Sequence, residues 1–235
     1  MTEASAQVAL PDVEATEALG AALAHEVQRG DIIFLRGELG SGKTSLAKGF
    51  LRRFFGNPSL DVPSPSYLLH FSYCDAACSS GANPPPAEAT VVAFSAGARS
   101  LVPGCPAHHV DPYRLPVGKI AALLDFEKIF SEVALVEWPD RLGDQLCTST
   151  TPARLEVFFE GFGPQGEGRV VSLSAVGERW QRAVDRRDLG LGGGGPVLSC
   201  KEGGRVDIRK DQGLRQETAS APAGADGVRA GATAQ

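Results

Sequence analysis

The segment Gly37-Glu38-Leu39-Gly40-Ser41-Gly42-Lys43-Thr44 constrains this chain more than any other stretch. Its spacing is G-x-x-x-x-G-K-[ST]. It follows an apolar run, Ile32 to Leu35, and opens onto a helical pattern from Ser45 to Phe55. Between a strand and a helix, such a loop is a phosphate binder. Its glycines let backbone N–H groups turn inward around phosphate oxygens, and the following helix adds its positive N-terminal end. Lys43 would reach the β- and γ-phosphates, and the Thr44 hydroxyl would hold Mg²⁺.

Composition narrows the setting. In 235 residues, Gly 28 and Pro 16 are high and unevenly spread, which suggests one compact domain carrying irregular segments. The net charge of −5 leaves no broad basic field for non-specific nucleic-acid binding. No run approaches the ~20 apolar residues that a membrane helix needs, so no membrane is expected. Glu3, Asp12, Glu14 and Glu17 argue against a basic signal or transit peptide. Five cysteines, at 74, 78, 105, 147 and 200, are an odd number without a disulfide pattern, which suits a reducing cytosol.

Read in order, residues 1–11 are a lead-in, and Asp12 to Arg29 is a helix with Leu19, Leu23 and Val27 on one face. After the phosphate loop and its helix, Val62 to Ser66 forms an extended loop, and Tyr67 to Tyr73 a strand. Residues 75–106, rich in Ala, Gly, Ser and Pro, read as an irregular insertion with one strand-like patch at Val91 to Phe94. A strand ends at Asp111, a helix covers Val117 to Phe130, and Val133 to Val136 is a buried strand. Leu155 to Phe159 and Val170 to Leu173 form a hairpin, and Glu178 to Arg187 a closing helix. One phosphate-loop domain is expected over 10–187. Residues 188–235, with Gly192 to Gly195, read as a disordered tail.

A phosphate loop needs carboxylates at the C-terminal end of a neighbouring strand, to serve the metal and the attacking water. Glu137 stands after four apolar residues, the form of a Walker B strand. Asp111 follows the shorter His109-Val110 stretch, and from spacing alone it reads equally as a solvent-facing acid. Ser64-Pro65-Ser66-Tyr67 is a plain loop on spacing, although rigid hydroxyl-bearing loops can sense a γ-phosphate. Trp138 stacks on a base or plugs the core. Cys74, Cys78, Cys105, His108 and His109 are zinc-ligand types, but their spacing is too loose to displace the reading of incidental cysteines.

In series these motifs resemble the TsaE (YjeE) family, the P-loop ATPases of bacterial tRNA threonylcarbamoyladenosine synthesis. The loop is similar to the family's G-D-L-G-A-G-K-T, Ser64 to Tyr67 to its S-P-T-[FY], His109 to Arg114 to H-[FL]-D-L-Y-R, and Val136 to Pro139 to V-E-W-P. The resemblance implies an α/β fold, three layers around a mixed central sheet. It further implies Mg²⁺-dependent ATP hydrolysis and action on a TsaD-like and TsaB-like transferase pair, with tRNA met only through that complex. By position, Lys43, Asp111 and Glu137 are catalytic, and Thr44 and Glu137 hold the metal. Thr16, Leu39, Gly40, Ser41, Gly42, Lys43, Thr44, Ser45 and Trp138 line ATP, and Ser64, Pro65, Ser66 and Tyr67 form a switch-like loop. Pro112 and Ser66 depart from the family's Leu and Thr. The insertion and tail point to an unusual, eukaryotic algal host, for which a plastid or mitochondrion is the alternative to the cytoplasm. Two other readings are a small-molecule P-loop kinase, disfavoured because Arg99 is the insertion's only arginine, and a non-hydrolysing nucleotide-binding adaptor.

Overall fold

A computed structural model describes residues 5–78, 92–97, 99–148, 153–161, 168–185, 197–200 and 206–209. The chain enters through β1 (Ser5–Leu10), α1 (Val13–Glu26), β2 (Ile32–Arg36) and α2 (Lys43–Phe54). It continues through β3 (His70–Asp75), β4 (Val92–Gly97), β5 (Ala107–Val110), α3 (Phe126–Phe130) and β6 (Val133–Glu137). Then come α4 (Asp144–Thr148), β7 (Arg154–Gly161), β8 (Arg169–Val176), α5 (Glu178–Asp185), β9 (Val197–Cys200) and β10 (Val206–Arg209). The strands form one mixed sheet in the order β4-β3-β5-β6-β2-β7-β8-β1-β10-β9.

Four neighbouring strands, β5, β6, β2 and β7, run parallel. β2 and β6 are buried along nearly their whole length, which explains their unbroken apolar sequence. Because they are parallel, their C-terminal ends share one edge, with Leu35 beside Glu137. That edge is where ligands bind in folds of this class. One core packs α1, α2 and α5 against one face of the sheet, through Leu19, Leu23, Leu46, Phe50 and Trp180. A second, around Phe34, Val110, Ile120, Ile129 and Val136, fills the other face.

α1 and α2 meet through glycines. A Cβ on Gly49 would lie 2.0 Å from Glu17 O, and one on Gly20 would lie 2.1 Å from Leu46 O. No side chain fits at either position, so the backbones approach closely. The start of α1 is thereby held beside the phosphate loop. Asp12 caps that start by accepting from Ala15 N at 2.7 Å.

Several local readings differ from the structure. Residues 5–10 are a strand, not a lead-in: β1 pairs antiparallel with β8 from Ser5–Ser174 to Leu10–Arg169, burying Val8 and Leu10. The strand expected from Tyr67 begins only at His70, because Pro65–Tyr67 makes a 3₁₀ turn and Leu69 takes a left-handed φ of 67°. The helix expected over 117–130 is a 3₁₀ turn, Lys119–Ala122, followed by α3. Asp125 breaks the run by capping α3 through Lys128 N.

The insertion is less irregular than its composition implies. β4 pairs parallel with β3, and buried Asp75 ties down the return segment by accepting from Ser100 N, Ser100 Oγ and Gly104 N. Residues 79–91 and 98 lie outside the described part. So does most of the expected disordered tail, yet β9 and β10 within it extend the sheet beyond β1.

Candidate nucleotide site

The phosphate loop leaves β2 and turns through Gly37, Gly40 and Gly42, with φ of 143°, 75° and 111°. L side chains rarely adopt such angles, so these turns require glycine. Lys43, 4% exposed, opens α2. Its Nζ donates to Gly37 O at 2.7 Å and Glu38 O at 2.8 Å, curling back over its own loop. The Trp138 ring lies over the ammonium, 4.1 Å from Nζ to the centroid. Burial pulls the Lys43 pKa below that of a free lysine, although Glu137, Asp111 and Glu38 oppose the shift.

Glu137 ends β6 at 3% exposure. Its Oε1 accepts from Thr44 Oγ1 at 2.8 Å and from His109 Nε2 at 2.9 Å. Burial raises its pKa, but the His109 bond and charge, the Thr44 bond and Lys43 together bring the net shift below the usual carboxylate value. A carboxylate only accepts, so His109 Nε2 is the donor in this bond. Its Nδ1 has no partner among the described residues. Asp111 is 1% exposed at the end of β5. Its Oδ1 accepts from Tyr113 N at 2.9 Å and its Oδ2 from Ser66 Oγ, which also meets Ser64 Oγ at 2.8 Å. The Ser64–Tyr67 segment is thereby tied to the acid. Tyr67 itself is exposed, and the Arg114 guanidinium lies 4.1 Å from its ring centroid.

Lys43, Thr44, Asp111, Glu137 and Trp138 thus converge at one sheet edge, with Ser66 behind Asp111. Trp138 adopts φ 51°, and its ring lies tilted against that of Tyr113, with centroids 4.7 Å apart. Trp138 lies over Lys43 instead of plugging the core. Thr16 is buried with its hydroxyl turned to Asp12 O at 3.0 Å; a Cβ on Gly42 would meet its Cγ2 at 3.6 Å. Ser41 is buried beneath the loop, its Oγ 3.4 Å from Lys43 Nζ, and Ser45 follows Thr44 in the first turn of α2. The Leu39 side chain projects outward, 74% exposed, leaving Leu39 only a backbone role.

Spacing assigns Arg169 no role and offers His109 only as a zinc-ligand type and as the first residue of the His109–Arg114 motif; the signal for its role is that β5 pairs parallel with its neighbour β6, which ends at Glu137. The described residues hold no cluster of three or more His, Cys, Asp or Glu that could bind a metal ion. His108 instead bonds His70 at 2.9 Å and Glu132 at 2.6 Å.

The family model described as "Threonylcarbamoyl adenosine biosynthesis protein TsaE" matches residues 10–80. A Streptomyces coelicolor protein called tRNA threonylcarbamoyladenosine biosynthesis protein TsaE is 30% identical over 169 residues, 70% of this chain and 93% of the relative. This chain belongs to the TsaE family. The Synechocystis TsaE is 30% identical over 147 residues, 60% of this chain and 75% of its own length. The crystal structure of Bacillus subtilis YdiB superposes with a TM-score of 0.50 at 21% identity, covering 80% of this chain and 99% of YdiB, and agrees in fold. Among the described residues, no helix is long and apolar enough to cross a membrane.

Proposed function

We propose that this TsaE-family chain is an Mg²⁺-dependent ATPase that serves threonylcarbamoyladenosine modification of tRNA at position 37. The observation that carries the reading is the hydrogen bond from Thr44 to Glu137 beside Lys43, at the shared end of β2 and β6. Thr44 gives its proton to Glu137, which leaves the hydroxyl lone pairs available to a hard cation. A hydroxyl and a carboxylate are oxygen donors of the kind Mg²⁺ takes. Bound there, Mg²⁺ would offset negative charge on the phosphates during transfer to water.

The chain's own residues would do the rest. Loop N–H groups and Lys43 hold the phosphates once the ammonium leaves Gly37 O and Glu38 O. Trp138 shields Lys43 from water, strengthening its attraction for phosphate oxygens. Asp111, aimed by Tyr113 N and Ser66, accepts from the attacking water. Ser66 couples that acid to the exposed Tyr67, so a change at the γ-phosphate reaches the surface. There a TsaD-like and TsaB-like pair would read it, with tRNA met only through that pair. The output is then a change of state in a partner, not a chemical group handed on.

The test is rescue of threonylcarbamoyladenosine, measured by mass spectrometry of tRNA nucleosides, in a TsaE-depleted bacterium expressing this chain. Restoration by the natural sequence and not by Lys43→Ala is expected. If Lys43→Ala restored the nucleoside equally well, nucleotide binding would not be the basis of the function.

A further inference from the structure

The phosphate loop is gripped from outside by an arginine more than a hundred residues away. Arg169 opens β8 and donates to three carbonyls: Nε to Ser41 O at 3.1 Å, Nη2 to Gly40 O at 3.3 Å, and Nη1 to Gly168 O at 2.7 Å. Two of these belong to the middle of the loop. We infer that Arg169 is a positioning residue, which holds the Gly40–Gly42 backbone in the conformation that receives the β-phosphate of a nucleoside di- or triphosphate. This rests on the nucleotide reading above.

The geometry follows from peptide planarity. In a trans peptide the N–H points opposite to the C=O. With the Ser41 carbonyl fixed on Arg169, the Gly42 N–H of the same peptide points away from the guanidinium, where a phosphate oxygen can accept it. The Gly40 carbonyl fixes its peptide likewise; the Ser41 N–H of that unit closes the loop on Glu38 O at 3.2 Å. A charged donor on each carbonyl also polarises the peptide, making its N–H a stronger donor. Glycines at positions 40 and 42 leave these peptides otherwise free to rotate, so an external clamp removes motion that binding would have to arrest.

Arg169 is itself held in place. It pairs with Leu10 across β1 and β8, and a Cβ on Gly168 would lie 2.4 Å from Leu10 O. The same backbone runs on through Pro11 to the Asp12 cap of α1. Arg169 therefore ties the loop to the strand that leads into the first helix. Lysine lacks the planar fork and can serve only part of this pattern.

The test uses full-length wild-type, Arg169→Gln and Arg169→Lys proteins. ADP affinity is read by calorimetry, thermal midpoint by circular dichroism, and the Gly42 amide by NMR in nucleotide-free protein. Arg169→Gln should bind ADP about tenfold more weakly, the scale of a lost charge-assisted hydrogen bond. Its Gly42 amide resonance should shift, and Arg169→Lys should fall between the two. An ADP affinity for Arg169→Gln within twofold of wild type would overturn the inference. So would a loss that accompanies collapse of the thermal midpoint in both variants. If Arg169→Gln alone fails to fold, Arg169→Lys carries the same readouts. Wild-type protein that binds no ADP would refute the nucleotide reading itself, and this inference with it.

Discussion

Two substitutions at Glu137 separate what its charge does from what its hydrogen bonds do. Glutamine keeps the length and one carbonyl oxygen with two lone pairs, enough for both the Thr44 hydroxyl and His109 Nε2. Alanine removes the acceptor altogether. Thr44 is only half-buried and can turn to water, but His109 is fully buried and cannot. One stranded buried donor plus the lost methylene packing costs about 2–4 kcal/mol, or roughly 5–15 °C in Tm for a domain of this size. Glu137→Gln also takes a charge out of the interior, so its stability should stay within about 1 kcal/mol of the natural protein. Thermal unfolding without nucleotide reads this difference. Phosphate release from Mg·ATP reads the other half: both variants should lose about a hundredfold or more, because the amide cannot replace the carboxylate at the metal. A glutamine variant as unstable as the alanine one would refute the hydrogen-bond reasoning. Hydrolysis at the natural rate by either would remove Glu137 from the proposed metal site.

Two further outcomes concern the scaffold. Asp75→Asn should cost about 2–4 kcal/mol and speed proteolysis within 99–106, because the amide cannot accept from Ala77 N, Cys78 N, Ser100 and Gly104 together. Limited proteolysis with thermal unfolding checks it. Acid should destabilise the fold through His70, whose pKa is lowered to about 3 by burial and then by His108 and His109. The folded state keeps this ring neutral while the unfolded chain protonates it below 6.5, so stability falls as pH drops from 6.5 towards 3. Glu137, with its depressed pKa, adds stability that is full above pH 4.5 and is lost as pH falls through its folded value. Urea midpoints at pH 7 and 4.5 should show His70→Gln losing less than the natural protein, by roughly 2–3 kcal/mol. An equal loss would remove His70 from the acid response.

The phosphate loop could be read directly because its chemistry is local. Eight consecutive residues dictate the turn, the glycine conformations and the start of α2, so spacing was sufficient. Glu137 was legible as a strand end, since the continuous apolar run Val133 to Val136 announces a buried parallel strand, whereas Asp111, after the short His109-Val110 stretch, stood out only through the motif resemblance. The broken helix at 117–130 was misread because a capping aspartate outweighs apolar spacing over so short a run.

β1, β9, β10, the pairing of β4 with β3, the Asp75 clamp and the supporting roles of His109 and Arg169 became visible only in the tertiary structure. β1 (Ser5–Leu10) lacks the continuous apolar run that marks β2 and β6, and it becomes a strand because β8, 159 to 169 residues later in register, supplies its hydrogen-bond partners. His109 looked like a loose metal ligand until strand alternation brought it beneath Glu137. Arg169 belongs to no sequence motif, and only the sheet carries it to the carbonyls of Gly40 and Ser41. The sequence by itself determined the turns of the Gly37–Thr44 loop and marked Glu137 as an acid at a strand end, since neighbouring residues encode those shapes. The folded sheet decided what holds that site in place, because the partners involved are brought together only by strand pairing across the length of the chain.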